Sequence, residues 1–580
     1  MSRIRGNRTV VWLTVGAACI GLALWATACW WRLEPTDRAP EPPEISVVPP
    51  GPIVLRDVLN ETGITFRHTD GSGGHYYIVE SVCCGMATFD YDGDGLIDIY
   101  FLNGAPLRGT PTGGPPPRNA LYRNLGDWQF VDVTDQAGVG DTGFGLGVTV
   151  GDYDNDGYPD LYLNNFGPNV LYHNNGDGTF TVVTREAGVA AGDQVGAGAC
   201  FLDADGNGTL DLYAANYVDF TYENHVPSSI HGVPAYAGPV DYRGVPDVFY
   251  GNNGDGTFTD LSQASGIASV ATTSMGMICA DYDDDGDTDI FICNDVNRNL
   301  LFQNDGRGHF CDVALTVGTA YNFQGVANAS MGVDCGDYQN DGRLDFFMTD
   351  YQLEFAVLYE NTGNGLFQDV TRIAEAGQIL YAHVNWGTGF CDFDNDGHRD
   401  LFVANGHLQD RVEQYSDTAS YRAKNTLLRN TGQGRFVDVT DSSGDGMQIK
   451  LSSRGVALDD LDNDGRVDVV VLNTRCEPSV LRNESPTDDH WLQIHVRGTT
   501  TNRDGVGARV TVVAGDCTWV DEVHSGRGYQ SHFGSRLHFG LGRHDRVDRV
   551  EVRWIGGGCD VREHVATNQL ITIIETCPTR

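Results

Sequence analysis

Seven segments of the chain follow one spelling, Asp-x-Asp-x-Asp-Gly-x-x-Asp, five of them fully and two with a single amide in place of an aspartate, so the fold must present the same acidic loop seven times. Positions 1, 3, 5 and 9 are Asp90, Asp92, Asp94 and Asp98 in loop 1, and Asp152, Asp154, Asp156 and Asp160 in loop 2. Loop 3 has Asp203, Asp205, Asn207 and Asp211, loop 4 has Asp281, Asp283, Asp285 and Asp289, and loop 5 has Asp337, Gln339, Asp341 and Asp345. Asp392, Asp394, Asp396 and Asp400 make loop 6, and Asp460, Asp462, Asp464 and Asp468 make loop 7.

Coordination explains the spelling. Calcium takes six to eight hard oxygens at about 2.3–2.6 Å. Side chains at positions 1, 3 and 5 converge when the backbone curls, glycine at position 6 allows the sharp turn with φ > 0, and the acid at position 9 closes the cage. Magnesium would demand a tighter octahedron and keep more water. An EF-hand begins the same way but needs Glu at position 12 between two helices. Position 12 here is apolar, as at Phe101, Leu163 and Ile292, within strand-like runs. Asx-turns capping hairpins account for one such loop, not for seven. The sequence therefore predicts about seven calcium sites, weaker where Asn207 and Gln339 replace aspartate.

Each loop follows, five residues after it, one of Gly85, Gly147, Gly198, Gly276, Gly332, Gly387 and Gly455. An apolar strand comes next, then a Leu-Tyr-type strand and a hairpin such as Asn174-Asn-Gly-Asp-Gly-Thr-Phe180. The Asn and Gly of these hairpins suit left-handed turn conformations. Four short strands in roughly 60 residues make one propeller blade, and seven blades fall within the usual range. The seventh lacks its last strand, which residues 54–58 resemble. An all-β, seven-bladed β-propeller over 52–485 is the expectation, closed by that N-terminal strand. A linear solenoid would need polar end caps that the sequence does not show.

These repeats resemble the FG-GAP/VCBS repeats of integrin-type propellers and of the cartilage acidic protein family. Residues 491–575 are similar to that family's ASPIC/UnbV domain, through Gly505-Val-Gly-Ala-Arg-Val510, Gly526-Arg-Gly-Tyr-Gln530, Leu537-His-Phe-Gly-Leu-Gly542 and Val550-Glu-Val-Arg-Trp554. The resemblance implies a small C-terminal β domain over 486–575. Insertions at 217–250 and 407–424 interrupt the repeat pattern.

The remaining composition agrees with this reading. A net charge of −41 repels phosphate backbones and excludes nucleic acid as a partner. The 73 glycines suit many strands joined by tight turns. Arg3, Arg5 and Arg8 precede an uncharged run from 10 to 31, long enough at about 33 Å to cross a bilayer. A basic stub over 1–8, a transmembrane signal anchor over 9–31 and a Pro-rich linker over 32–51 are expected. Cleavage after Ala26-Thr27-Ala28, or lipid attachment at Cys29, are the alternatives. All three place the bulk outside the cytoplasm, in the cell envelope or beyond.

Export permits disulfides. Cys83 and Cys84 read as a redox pair, a vicinal disulfide, or two side chains packed on opposite faces of a strand. Asp521, Glu522, His524, Ser525 and Arg527 lie together, but no nucleophile elbow surrounds Ser525, and a structural role is expected. No P-loop, zinc spacing or dinucleotide fingerprint is present, and no catalytic residue is assigned. Two function classes remain: a calcium-stiffened extracellular binding or scaffold module for a protein or glycan, and an exported hydrolase or lyase acting on an extracellular polymer.

Overall fold

The computed structural model describes residues 53–111 and 113–576. The apolar run, the spacer and the last four residues lie outside them. Among the described residues, no helix is long and apolar enough to cross a membrane.

The fold is all-β and propeller-like. In the first sheet, Met86–Phe89, Asp98–Phe101, Ala120–Asn124 and Phe130–Asp132 pair antiparallel in that order. Six further four-stranded sheets repeat this arrangement, with innermost strands Phe144–Gly151, Gly196–Leu202, Ser274–Ala280, Val333–Gly336, Asn385–Cys391 and Ser453–Asp459. Each acidic loop joins the innermost strand to the second, and its position-9 aspartate opens that second strand. Second strands such as Asp98–Phe101 are buried throughout, because both faces pack on neighbouring sheets. Outermost strands such as Phe130–Asp132 keep only their aromatic residue buried.

The outermost strand of the seventh sheet is Leu55–Asp57, with Leu55 opposite Asn483 and Asp57 opposite Leu481. The innermost strands pack on one another in sequence order, and Met86–Phe89 also packs against Ser453–Asp459. The glycines five residues before each loop belong to this crowding. A Cβ at Gly147 would lie 2.0 Å from the Ala197 carbonyl oxygen, and one at Gly332 would lie 2.3 Å from that of Trp386.

Seven C-terminal strands complete the fold. His490–Arg497 sits between Leu537–Gly542 and, in parallel, Gln569–Ile574. Cys517–Glu522, Arg509–Ala514, Arg546–Arg553 and Cys559–Ala566 form a second sheet. The cysteines of the described residues are free thiols. Cys83 and Cys84 precede the strand that starts at Met86 rather than lying on it, so opposite strand faces do not explain them.

Candidate metal centres

The seven loops share one hydrogen-bond plan. Both oxygens of the position-1 aspartate accept backbone N–H groups, Asp90 from Asp94 and Gly95 at 3.1 and 2.8 Å, and the same pair recurs in every loop. Position 5 accepts from the N–H of position 7 in each. The position-6 glycines all have positive φ, from +85° at Gly342 to +102° at Gly157, as coordination geometry predicts. Carboxylate oxygens of Asp90, Asp92 and Asp94 lie within 4.8 Å of one another, as do those of Asp152, Asp154 and Asp156 and those of Asp281, Asp283 and Asp285.

Each position-9 aspartate is tied to a strand asparagine. Asn124, Asn174, Asn252, Asn304, Asn361, Asn430 and Asn483 each donate their backbone N–H to it, at 2.7–2.8 Å. The side-chain amide of the same asparagine reaches the position-2 carbonyl of the preceding loop. Asn174 meets Tyr91 at 2.9 Å, Asn252 meets Tyr153, Asn304 meets Ala204, Asn361 meets Tyr282, Asn430 meets Tyr338 and Asn483 meets Phe393. Asn124 meets Leu461 of loop 7 at 2.8 Å. The sequence marked six of these asparagines only as turn residues and Asn483 only as the end of a strand. None has positive φ, so the left-handed conformation falls to the hairpin glycines such as Gly176 and Gly178.

Packing so many carboxylates is costly without a counter-charge. Burial, opposed by backbone donors, pushes Asp98 up to about 8 and Asp211 up to about 7. Burial and then the Asp504 carboxylate push Asp152 up to about 8. The Asp160 carboxylate, 3.4 Å from Nδ1, is the largest influence holding His173 up at about 9. Four loop oxygens are buried without a hydrogen-bond partner: Asp92 Oδ1, Asp283 Oδ1, Asp289 Oδ2 and Asp394 Oδ1. A buried, unpaired charged oxygen costs several kcal/mol, and a cation removes that cost. The all-oxygen donor set therefore fits a hard divalent ion such as calcium.

The C-terminal strands stand on the face that carries the loops. Arg503 donates its N–H to Asn155 Oδ1, Arg553 pairs with Asp281 at 2.8 Å and Arg509 donates to the Gly342 carbonyl. Trp519 Nε1 donates to the Gly397 carbonyl, Gln493 to Asp460 Oδ2, and Arg536 to the Gly95 carbonyl. Thr500 O lies 2.8 Å from where a Cβ on Gly208 would sit. All seven loops are touched.

From this cap, residues 523–534 descend between the innermost strands of all seven sheets. His532 exchanges backbone hydrogen bonds with Met86 and Thr88, and Gly528 does so with Val333. Val148 N–H donates to the Gln530 carbonyl, and Phe201 N–H to Ser525 Oγ. His524 Nδ1 sits 2.8 Å from the Cys279 carbonyl, Tyr529 meets Trp386 edge-on, and Gly534 N–H reaches Asp459. Arg527, 6% exposed, forks onto Asp334 with Nε and Nη2 both at 2.8 Å. Arg399 pairs with Asp521 at 2.7 Å. Burial pushes Glu522 up to about 8 and His524 down to about 3. Ser525 Oγ donates to the Val150 carbonyl. These residues fill the axis, and Ser525 and His524 are each engaged by strand backbone rather than by one another.

The connections from second to third strand lie at the other end of the sheets, and both insertions are of that kind. They meet: Tyr236 N–H donates to Gln409 Oε1 at 2.8 Å, and Gln409 Nε2 returns to the Tyr236 carbonyl. Beneath them lies a polar group that sequence reasoning missed. Tyr236 donates to Glu80, Arg475 reaches Tyr236, Asp70 and Asp410, and His68 Nε2 sits 2.7 Å from Cys84 Sγ. Its members are scattered from residue 68 to 475, so no local pattern marks them.

Loops, sheets and cap together define an all-β repeat protein with a metal-type loop in each repeat and a small β domain seated on the loop face. Residues 90–163, 152–214, 281–348, 337–403 and 392–471 match the FG-GAP-like repeat, and residues 498–579 match the domain described as ASPIC and UnbV. The chain belongs to this FG-GAP-repeat family with an ASPIC/UnbV domain. Mouse cartilage acidic protein 1 is 23% identical over 453 residues, covering 75% of this chain and 64% of that protein. The human protein is 24% identical over 456 residues, covering 75% and 63%. The chain thus spans a little under two thirds of the length of these relatives. A solved Agrocybe aegerita lectin that recognises non-reducing terminal N-acetylglucosamine is 18% identical. It covers 61% of this chain and 79% of its own at a TM-score of 0.37, too low to carry an argument.

Proposed function

We propose that the protein is an exported, closed seven-bladed propeller, stiffened by calcium in its loops, that binds an extracellular protein or glycan. The observation that carries this reading is the division of its two faces. The loop face is covered by the C-terminal domain over 486–575 and the axis is filled, so the face with the paired insertions is the one left to a partner. Closure is supported by the ring of asparagine contacts that returns from Asn124 to Leu461. Export is supported by the apolar run 10–31 behind its basic flank, which would anchor the chain in a membrane or direct its cleavage.

The insertion face offers suitable chemistry. Arg108 stacks over Tyr222 at 4.3 Å and reaches Glu223, and Tyr77, Phe220 and His225 pack behind them. Aromatic rings beside charged groups suit sugar rings and peptide side chains alike. Probing immobilised glycans and extracellular proteins with the chain tests the reading. A ligand should be captured, and Arg108→Ala with Tyr222→Ala should weaken it. Capture that ignores this pair would discard the surface.

A second reading, an exported enzyme acting on a polymer, is favoured by the buried group beneath the insertions. Burial pushes Glu80 up to about 7, the value of a proton-transfer group at neutral pH. Turnover of an extracellular polysaccharide, lost in Glu80→Gln with folding intact, would establish it.

A further inference from the structure

In the first, second, fourth and sixth sheets the side chain immediately before the strand asparagine reaches back to carboxylates of its own loop, whereas Gly251 has no side chain to do so and Arg482 pairs with Glu484. In the first sheet it is Arg123, with Nε 2.7 Å from Asp92 Oδ2 and Nη2 2.9 Å from Asp94 Oδ2. In the sixth it is Arg429, at 2.8 and 2.6 Å from Asp394 Oδ2 and Asp396 Oδ2. In the fourth it is Gln303, whose Nε2 donates to Asp283 Oδ2 at 2.7 Å. Gln303 and Arg429 donate to one oxygen of the position-3 carboxylate, whereas Arg123 donates to Asp94 and only lies beside Asp92 as an ion pair. In all three loops the other oxygen of that carboxylate is buried without a partner.

Amide and guanidinium thus do the same positioning, but the guanidinium brings a full positive charge against any ion in the loop. The loops also differ in the charge left over. Loop 4 adds Asp284 and Asp287 to its four aspartates, so six carboxylates face the guanidiniums of Arg553 and Arg509. Loop 1 has only its four aspartates and faces both Arg123 and Arg536. Loop 4 alone has a second orphaned oxygen, Asp289 Oδ2, on a residue 1% exposed; in the other six loops the position-9 carboxylate accepts the position-2 N–H through that oxygen.

We infer that this strand position grades the loops, making loop 4, served by Gln303, a tight cation site and loops 1 and 6, served by Arg123 and Arg429, weak ones. The inference rests on the calcium reading and adds an order of affinity that the loop spelling does not contain, since loops 1 and 6 carry a full set of aspartates.

The test is calorimetric titration of the full-length, calcium-stripped protein with calcium. Arg123→Gln and Arg429→Gln each tighten one weak site about tenfold, and Gln303→Arg weakens a tight site by a similar factor. Arg123→Lys keeps the charge and leaves its site weak. Melting in saturating calcium confirms that each variant folds. Wild-type protein that takes up no calcium overturns both the metal reading and the grading. Uptake by the wild type with isotherms unmoved in both glutamine variants overturns the grading alone, as does Arg123→Lys tightening as much as Arg123→Gln.

Discussion

The side-chain amide of Asn124 donates to the backbone carbonyl of Leu461 at 2.8 Å, joining residues 337 positions apart. Six equivalent asparagines make the same contact to the loop before their own, so each sheet is held to its neighbour through a metal-type loop. Asn124→Ala leaves the Leu461 carbonyl and the adjoining Ile97 carbonyl without that donor. A loss of about 1–3 kcal/mol is expected, read as a lower melting temperature at fixed calcium. A melting curve that does not move would show the contact to be incidental.

Chelation should lower the melting temperature by many degrees. A site with a dissociation constant near 10⁻⁴ M gains about 1.4 kcal/mol at 1 mM calcium, and several sites add. Asp392→Ala should cost less than full chelation, and calcium should restore the chelated protein. Calorimetric scans with and without chelator check both.

Without metal the pH dependence has a definite sign. Burial raises Asp98 to about 8, and Asp211 and Asp460 to about 7, from an ordinary value near 3.8. The folded state therefore holds more protons than the unfolded one between those values, and stability falls as pH rises from about 4 to 8. In chelator, melting at pH 5 should exceed melting at pH 8. Saturating calcium, which replaces those protons, should flatten or reverse the slope.

Arg527→Met removes the partner of a fully buried carboxylate, Asp334, in the axis. Breaking such a pair from one side costs about 3–5 kcal/mol. The double variant with Asp334→Asn should recover part of the loss, because it removes the stranded charge as well. Denaturant titration of the three variants measures the coupling.

The repeat, its strands and its loops were legible because they rest on local chemistry. Asp at positions 1, 3, 5 and 9, glycine at 6 and an apolar run afterwards each have one physical reading. Residues 54–58 could be placed on the seventh sheet because their pattern copied strands seen elsewhere. The asparagine contacts were visible as letters but not as a role, since a turn explanation already sufficed for Asn124. The axial segment was opaque for another reason. Its Ser525, Arg527, Gln530 and His532 are polar residues of the kind normally left in water, and they are buried because groups far off in sequence supply partners, the Val150 carbonyl for Ser525 and the Asp334 carboxylate for Arg527. The group formed by His68, Glu80, Tyr236 and Arg475 depends on contacts across the whole chain.

The strand Leu55–Asp57 finds its partner only at Ser479–Asn483, and the axis stays open until residues 523–534 arrive. During synthesis the earliest strand among the described residues is thus an orphan for more than four hundred residues. A ribosome that stops short leaves a product with an exposed strand edge and a hollow centre, both marks that proteases and chaperones recognise. The architecture inspects its own manufacture: only a chain translated past residue 534 can both pair Leu55–Asp57 and fill the space between the innermost strands.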